Sequence, residues 1–144
     1  MEKKPRVVCL CGSTRFSEAY QKANFDETLA GRIVLTIGCD MRSDADLFAD
    51  KSPQELEYIK TSLDWLHKRK IDLADEILVL NVEGYIGSST KSEIEYAAER
   101  GKKVRWLEPD KAPNLCANCG SIIEPDDGDY CGMCWKTVTF INPL

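Results

Sequence analysis

The sequence has no apolar run near the roughly 18 residues that a membrane-spanning helix needs, so no transmembrane segment is expected. It has no signal-peptide core either: the apolar stretch Val7-Val-Cys-Leu-Cys11 is short and ends in Gly-Ser-Thr-Arg. A cytoplasmic protein is the expectation. Positive charge is not in excess, since 19 Lys and Arg stand against 24 Asp and Glu. That balance disfavours general binding to a nucleic-acid backbone. The one basic cluster, His67-Lys-Arg-Lys70, falls inside a helical pattern and reads as a solvated helix face. Internal repeats and low-complexity tracts are lacking as well.

What is present is globular usage, 43% hydrophobic and 30% charged over 144 residues, enough for one main domain with an appendage. Short β-branched runs alternate with amphipathic stretches, the pattern of a parallel sheet covered by helices. Strands are expected at 6–11, 32–37, 76–81 and 103–107, with helices at 17–30, 53–73 and 91–100. The fold class is therefore α/β, a small parallel sheet of four or five strands with helices on both faces. In the second helix Ser52-Pro-Gln-Glu55 forms a capping box. Leu56, Ile59, Leu63, Leu66 and Leu73 are expected to face the core. Gly101 is a natural left-handed helix end. A polar, twice-proline linker follows Leu107, dividing an α/β domain at 1–108 from a tail at 109–144.

The tail carries the strongest motif. Cys116-x-x-Cys119 is followed by eleven residues and then by Cys131-x-x-Cys134. Paired thiolates at this spacing wrap a metal in two tight turns, and four sulfurs leave no position for water, which implies a structural Zn2+. The acidic Asp126-Asp-Gly-Asp129 argues against a nucleic-acid finger and leaves contact with a protein partner, or a brace on the domain edge. Cys9, Cys11 and Cys39 lie in or beside apolar runs and read as small buried hydrophobes.

Ligands of parallel sheets bind beyond the C-terminal strand ends. Two loops there are informative. In Cys11-Gly-Ser-Thr-Arg15, Gly12 permits close approach, Ser13 and Thr14 offer hydroxyls and Arg15 offers a charged fork for an anion such as phosphate. Ser13 or Thr14 acting only as a helix cap is the alternative. The second loop runs from Gly84 through Gly87, Ser88, Ser89 and Thr90 to Glu93. Here Thr90 and Glu93 also fit a capping box, with Glu93 bonding back to the helix start.

Ser89-Thr-Lys-Ser-Glu-Ile-Glu-Tyr-Ala97, with Gly101-Lys-Lys-Val104 after it and Ala74-Asp-Glu-Ile-Leu-Val79 before it, resembles the nucleoside 2-deoxyribosyltransferase superfamily. The Cys11–Arg15 loop is similar to the opening loop of its 2′-deoxynucleoside 5′-phosphate N-hydrolase branch. The resemblance implies a deoxyribosyltransferase-like (flavodoxin-like) fold and Glu93 as a nucleophile that attacks the sugar's anomeric carbon. It also implies a 5′-phosphate held by Ser13, Arg15 and Ser88 or Ser89, and a homodimer, for which Tyr85-Ile86 in a glycine-flanked loop is the candidate contact. The chain departs from the pattern at His67, where the family has an acid, and at Glu95, where glycine is common. The helical stretch from His67 to Ala74 is expected to bring His67 level with Asn81, itself a candidate substrate contact at the crevice. There it protonates or binds a base, with Asp64 as the other acid. An N-glycosidase or deoxyribosyltransferase acting on a nucleoside or nucleoside 5′-monophosphate is thus expected. A non-catalytic nucleotide-binding regulatory module, its ribbon contacting another protein, is the rival.

Overall fold

The computed structural model describes residues 3–37, 46, 48–123 and 128–134; Cys39, Asp126 and Asp127 lie outside them. Four parallel strands form the sheet: β1 (Val7–Cys11), β2 (Ile33–Leu35), β3 (Glu76–Val79) and β4 (Lys103–Trp106), in the order β2-β1-β3-β4. Strand order reverses between β1 and β3, and open parallel sheets bind their ligands beyond the C-terminal strand ends at such a reversal. Alternation along these strands sorts the core into two layers. Val8, Leu10, Leu78 and Leu80 meet Tyr20 and Ala23 of helix α1 (Ser17–Leu29) on one face. Cys9, Cys11, Ile77 and Val79 meet Ile71 of α2 (Pro53–Leu73) and Ile94 and Ala97 of α3 (Ser88–Glu99) on the other. The expected α/β class with helices on both faces is observed, and among the described residues the parallel sheet has four strands. No described helix is long and apolar enough to cross a membrane.

Three local expectations change. The buried positions of α2 are His67 and Ile71, whereas Leu63, Leu66 and Leu73 are exposed and Leu56 lies at the edge of exposure. Length explains Leu56 and Leu63: 21 residues of helix run about 31 Å, roughly twice a five-residue strand, so only the last turns of α2 lie on the sheet. There Leu66 and Leu73 fall on the side of the helix away from His67 and Ile71. Helix α3 begins at Ser88, three residues earlier than expected, because extended Gly87 is its N-cap. The basic cluster after His67 is partnered within the chain rather than simply solvated. Lys68 donates to Ser92 Oγ, Arg69 pairs with Asp72 and Tyr96, and Lys70 donates to the carbonyl of Thr36. The Ser52–Glu55 capping box and the left-handed Gly101 are as expected.

Away from the C-terminal strand ends, Glu27 and Glu76 are buried among Arg6, Arg32 and Arg105. The tail folds back on the domain. The short antiparallel strands β5 (Asn114–Leu115) and β6 (Ile122–Ile123) place Leu115 and Ile122 against the α2/α3 core layer. Gly120 approaches Ala98 of α3 so closely that a Cβ there would lie 2.1 Å from the Ala98 Cβ.

Candidate functional site

Glu93 points inward from α3 and is 8% exposed. With Gly87 as the cap, Thr90 and Glu93 lie inside the helix, Glu93 in its second turn, and no side chain caps the start. The expected Thr90–Glu93 capping box therefore does not form, and Glu93 is not folded back onto its own backbone. The first amides of α3, at Ser88, Ser89 and Thr90, are left without a capping side chain, the usual condition for an anion to settle at a helix N-terminus.

Beside Glu93 stands His67, with Nε2 3.9 Å from Oε2. The same nitrogen lies 3.6 Å from Cys9 Sγ and 3.5 Å from Cys11 Sγ. His67 is therefore level with Cys9–Cys11 on β1, and so with Ile77–Val79 on β3, two residues short of Asn81. The reason is rise per residue: at roughly 1.5 Å in a helix against 3.3 Å in a strand, the seven steps from Ala74 back to His67 match about three strand residues. Asp64, one turn earlier and half-buried, is near enough for its charge to act on Glu93.

Burial is the main force on the Glu93 carboxyl, and with the negative charge of Cys9 it outweighs the attraction of His67, pushing the pKa up to about 7. Burial opposes a charge on His67, yet Cys9 and Glu93 together hold its pKa above the ordinary value. Cys9 and Cys11 split a proton unequally: their mutual hydrogen bond drives Cys9 down and Cys11 up, and burial adds to the rise of Cys11.

The opening loop is pinned rather than capping. Ser13 accepts from the amide of Arg15 through Oγ and from that of Phe16 through its carbonyl, and α1 starts only at Ser17. Neither Ser13 nor Thr14 caps it. Gly12 does permit a close approach, but to Leu80, whose Cβ would lie 3.0 Å from an added Cβ, while Tyr20 Oη holds the Gly12 carbonyl at 2.7 Å. Arg15 crosses to the second loop. Its guanidinium donates to Tyr85 Oη at 3.0 Å and lies 4.2 Å from that ring's centre, with Phe16 edge-on to the same ring. Because Gly87 sits under Tyr85, this brings Arg15 toward the start of α3. Ile86 packs on the core and is not an exposed contact. Asn81 is wholly buried, its amide group taken up by the backbone of Glu108 in both directions.

In the tail, the thiol sulfurs of Cys116, Cys119, Cys131 and Cys134 lie within 4.8 Å of one another, and four cysteines so placed can hold a metal ion. Cys119 and Cys131 sulfurs are 3.6 Å apart, close to the roughly 3.8 Å edge of a tetrahedral zinc–sulfur shell. Asn118 Nδ2 donates to Cys134 Sγ. Burial raises the Cys116 thiol, but the amides of Cys119, Cys131 and Asn118 more than offset it and bring its pKa to about 6.

Residue-by-residue reading missed the grouping of Cys9, Cys11 and His67. A signal was there, because a C-x-C in a strand puts both thiols on one face, but which helix covers that face is tertiary information. Compared with known proteins, the chain matches no family model, no curated protein and no solved structure.

Proposed function

We propose that the chain is an N-glycosidase of the nucleoside deoxyribosyltransferase-like kind, cleaving the base from a nucleoside 5′-monophosphate with Glu93 as nucleophile. The observation that carries this reading is the inward, uncapped Glu93 carboxylate at the strand-order reversal, on the same helix whose bare N-terminus lies toward Arg15. Phosphate takes the Arg15 fork and the α3 amides at Ser88–Thr90, which sets the sugar over Glu93.

A carboxylate oxygen of Glu93 then bonds to the anomeric carbon as the glycosidic C–N bond breaks and the base leaves with the electron pair. Water attacks the same carbon next and releases the free sugar phosphate and the carboxylate. The separation of His67 from Glu93 divides the supporting roles, leaving the proton transfers to Asp64, whose charge reaches Glu93. Acid and nucleophile on opposite faces of a sugar stand about 5–5.5 Å apart, so His67 at 3.9 Å is the positioning partner of Glu93. Asp64 supplies the proton to the departing base and recovers one from the attacking water.

The tail is a zinc ribbon in this reading. Its four thiolates close the shell of a structural Zn2+ that braces α3 through Leu115, Ile122 and Gly120.

Incubation with a panel of nucleosides and their 5′-monophosphates tests the function. Free base is expected from monophosphates in preference to nucleosides; intact substrates throughout overturn the reading. The bare α3 start beside Arg15 serves a rival equally, a module that binds the nucleotide and leaves it whole, and recovery of bound, unconsumed nucleotide selects that rival.

A further inference from the structure

The buried face between β1 and α2 holds three metal-ligating side chains that neither the ribbon nor the sugar chemistry requires together. Cys9 and Cys11 have no exposed surface, and His67 is 6% exposed. Two thiols converge on one imidazole nitrogen, which has a single lone pair, so it satisfies one of them. Their other contacts are each other, Glu93 beside Cys11, and strand carbonyls at 3.9 Å that are too long for more than a weak bond. A cation at the centre of the three satisfies all of them at once.

The spacing fits such a centre. With Zn–S near 2.3 Å and Zn–N near 2.05 Å, the N···S edge of a tetrahedral shell is about 3.6 Å, and the two edges here are 3.6 and 3.5 Å. All three ligand atoms lie within 4.8 Å of one another. Charge fits as well: two thiolates neutralise a divalent ion, which is what a site sealed from water demands. Glu93 stands at the edge of this group, its Oε2 3.9 Å from His67 Nε2.

We propose that Cys9, Cys11 and His67 form a second metal site, selective for a soft divalent ion such as Zn2+. Binding releases the protons still carried by the thiols and by His67 Nε2 to solvent and forms two Zn–S bonds and one Zn–N bond. Softness follows from the ligands, because two thiolates and an imidazole discriminate against Mg2+ and Ca2+. The site stands without the glycosidase reading, since metal binding needs no substrate. Where both hold, they meet at His67: a metal on Nε2 takes that nitrogen from Glu93, so a loaded second site slows hydrolysis.

The test is stoichiometry on the full chain, stripped of metal under reducing conditions and titrated with Zn2+ against a chromophoric chelator. Two equivalents are expected for the wild type and one for Cys9→Ser/Cys11→Ser and for His67→Gln, whose ribbons keep theirs. A single equivalent in the wild type, or two in the variants, overturns the site. Should the variants not fold, the wild type decides alone by X-ray absorption. The mean zinc shell is expected to fall from four sulfurs at one equivalent to about three, with nitrogen or oxygen making up the rest, at two. A second equivalent that brings no sulfur overturns the site, as does an all-sulfur shell at both loadings.

Discussion

The imidazole of His67 and the carboxylate of Glu93 meet with Nε2 and Oε2 3.9 Å apart, both side chains nine-tenths or more shielded from water. They come from different helices, α2 and α3, packed on the same face of the sheet. An unpaired carboxylate at this depth is costly, and the imidazole is the partner that holds it in place. With one equivalent of zinc on the ribbon, His67→Gln is expected to lower kcat for base release by about 10- to 100-fold while KM moves less than about threefold, the split that marks loss of a transition-state contact. A rise in KM with kcat unchanged makes His67 a substrate contact instead.

Arg15 is the only charged side chain of the opening loop, and its guanidinium rests on the Tyr85 ring. Arg15→Ala is expected to raise KM for a nucleoside 5′-monophosphate by roughly 10- to 100-fold, the worth of a charge-assisted contact of about 1.5–3 kcal/mol. The corresponding nucleoside is unaffected. Equal losses on both substrates place the effect in the fold of the loop rather than in phosphate binding.

Gly120 and Gly101 separate two kinds of glycine requirement. Both have positive φ, but a Cβ on Gly101 meets open space, whereas one on Gly120 lies 2.1 Å from the Ala98 Cβ. Gly101→Ala should cost about 1–2 kcal/mol of left-handed strain, and Gly120→Ala more, by denaturant unfolding. Ala98→Gly combined with Gly120→Ala is expected to recover the excess. If it recovers nothing, the ribbon does not bear on α3 there.

The acid response of stability is set in part by Glu27. Burial raises its pKa, but Arg105 and Arg32 outweigh burial and hold it below the usual 4.5. The folded value lies under the unfolded one, so the ionised form adds stability above about 4.5 and that contribution is lost as the pH falls through the folded value. Urea midpoints measured from about pH 6 down to pH 3 should fall less steeply for Glu27→Gln than for the wild type across the acid limb. Parallel curves contradict this assignment.

Much of the α/β framework was legible in sequence because it rests on local signals. Residues 8–11 and 77–80 are buried on both faces and read as uninterrupted apolar runs. The zinc-type spacing of the four tail cysteines is likewise local. What failed depended on relative placement. Leu63 and Leu66 have helical periodicity, but α2 outruns the sheet at Leu63 and turns Leu66 away from it, so His67 and Ile71 are the residues that reach it. Thr90 and Glu93 have capping-box spacing, yet Gly87 moves the helix start and turns Glu93 inward. Asn81 looked available at a strand end and is taken by Glu108, a partner 27 residues away. In the candidate site the residue types were readable one by one, while the convergence of Cys9, Cys11, His67 and Glu93 required the packing of two helices on one strand face.

A bond from the Glu93 carboxylate to the sugar is the step proposed for base release. Its most direct test measures nucleotide binding and base release side by side in wild type and Glu93→Gln. The amide keeps the shape and removes the nucleophile, so binding is expected to stay within about twofold while base release falls on the order of 10³-fold or more. Base release by the Gln variant at the wild-type rate contradicts the account.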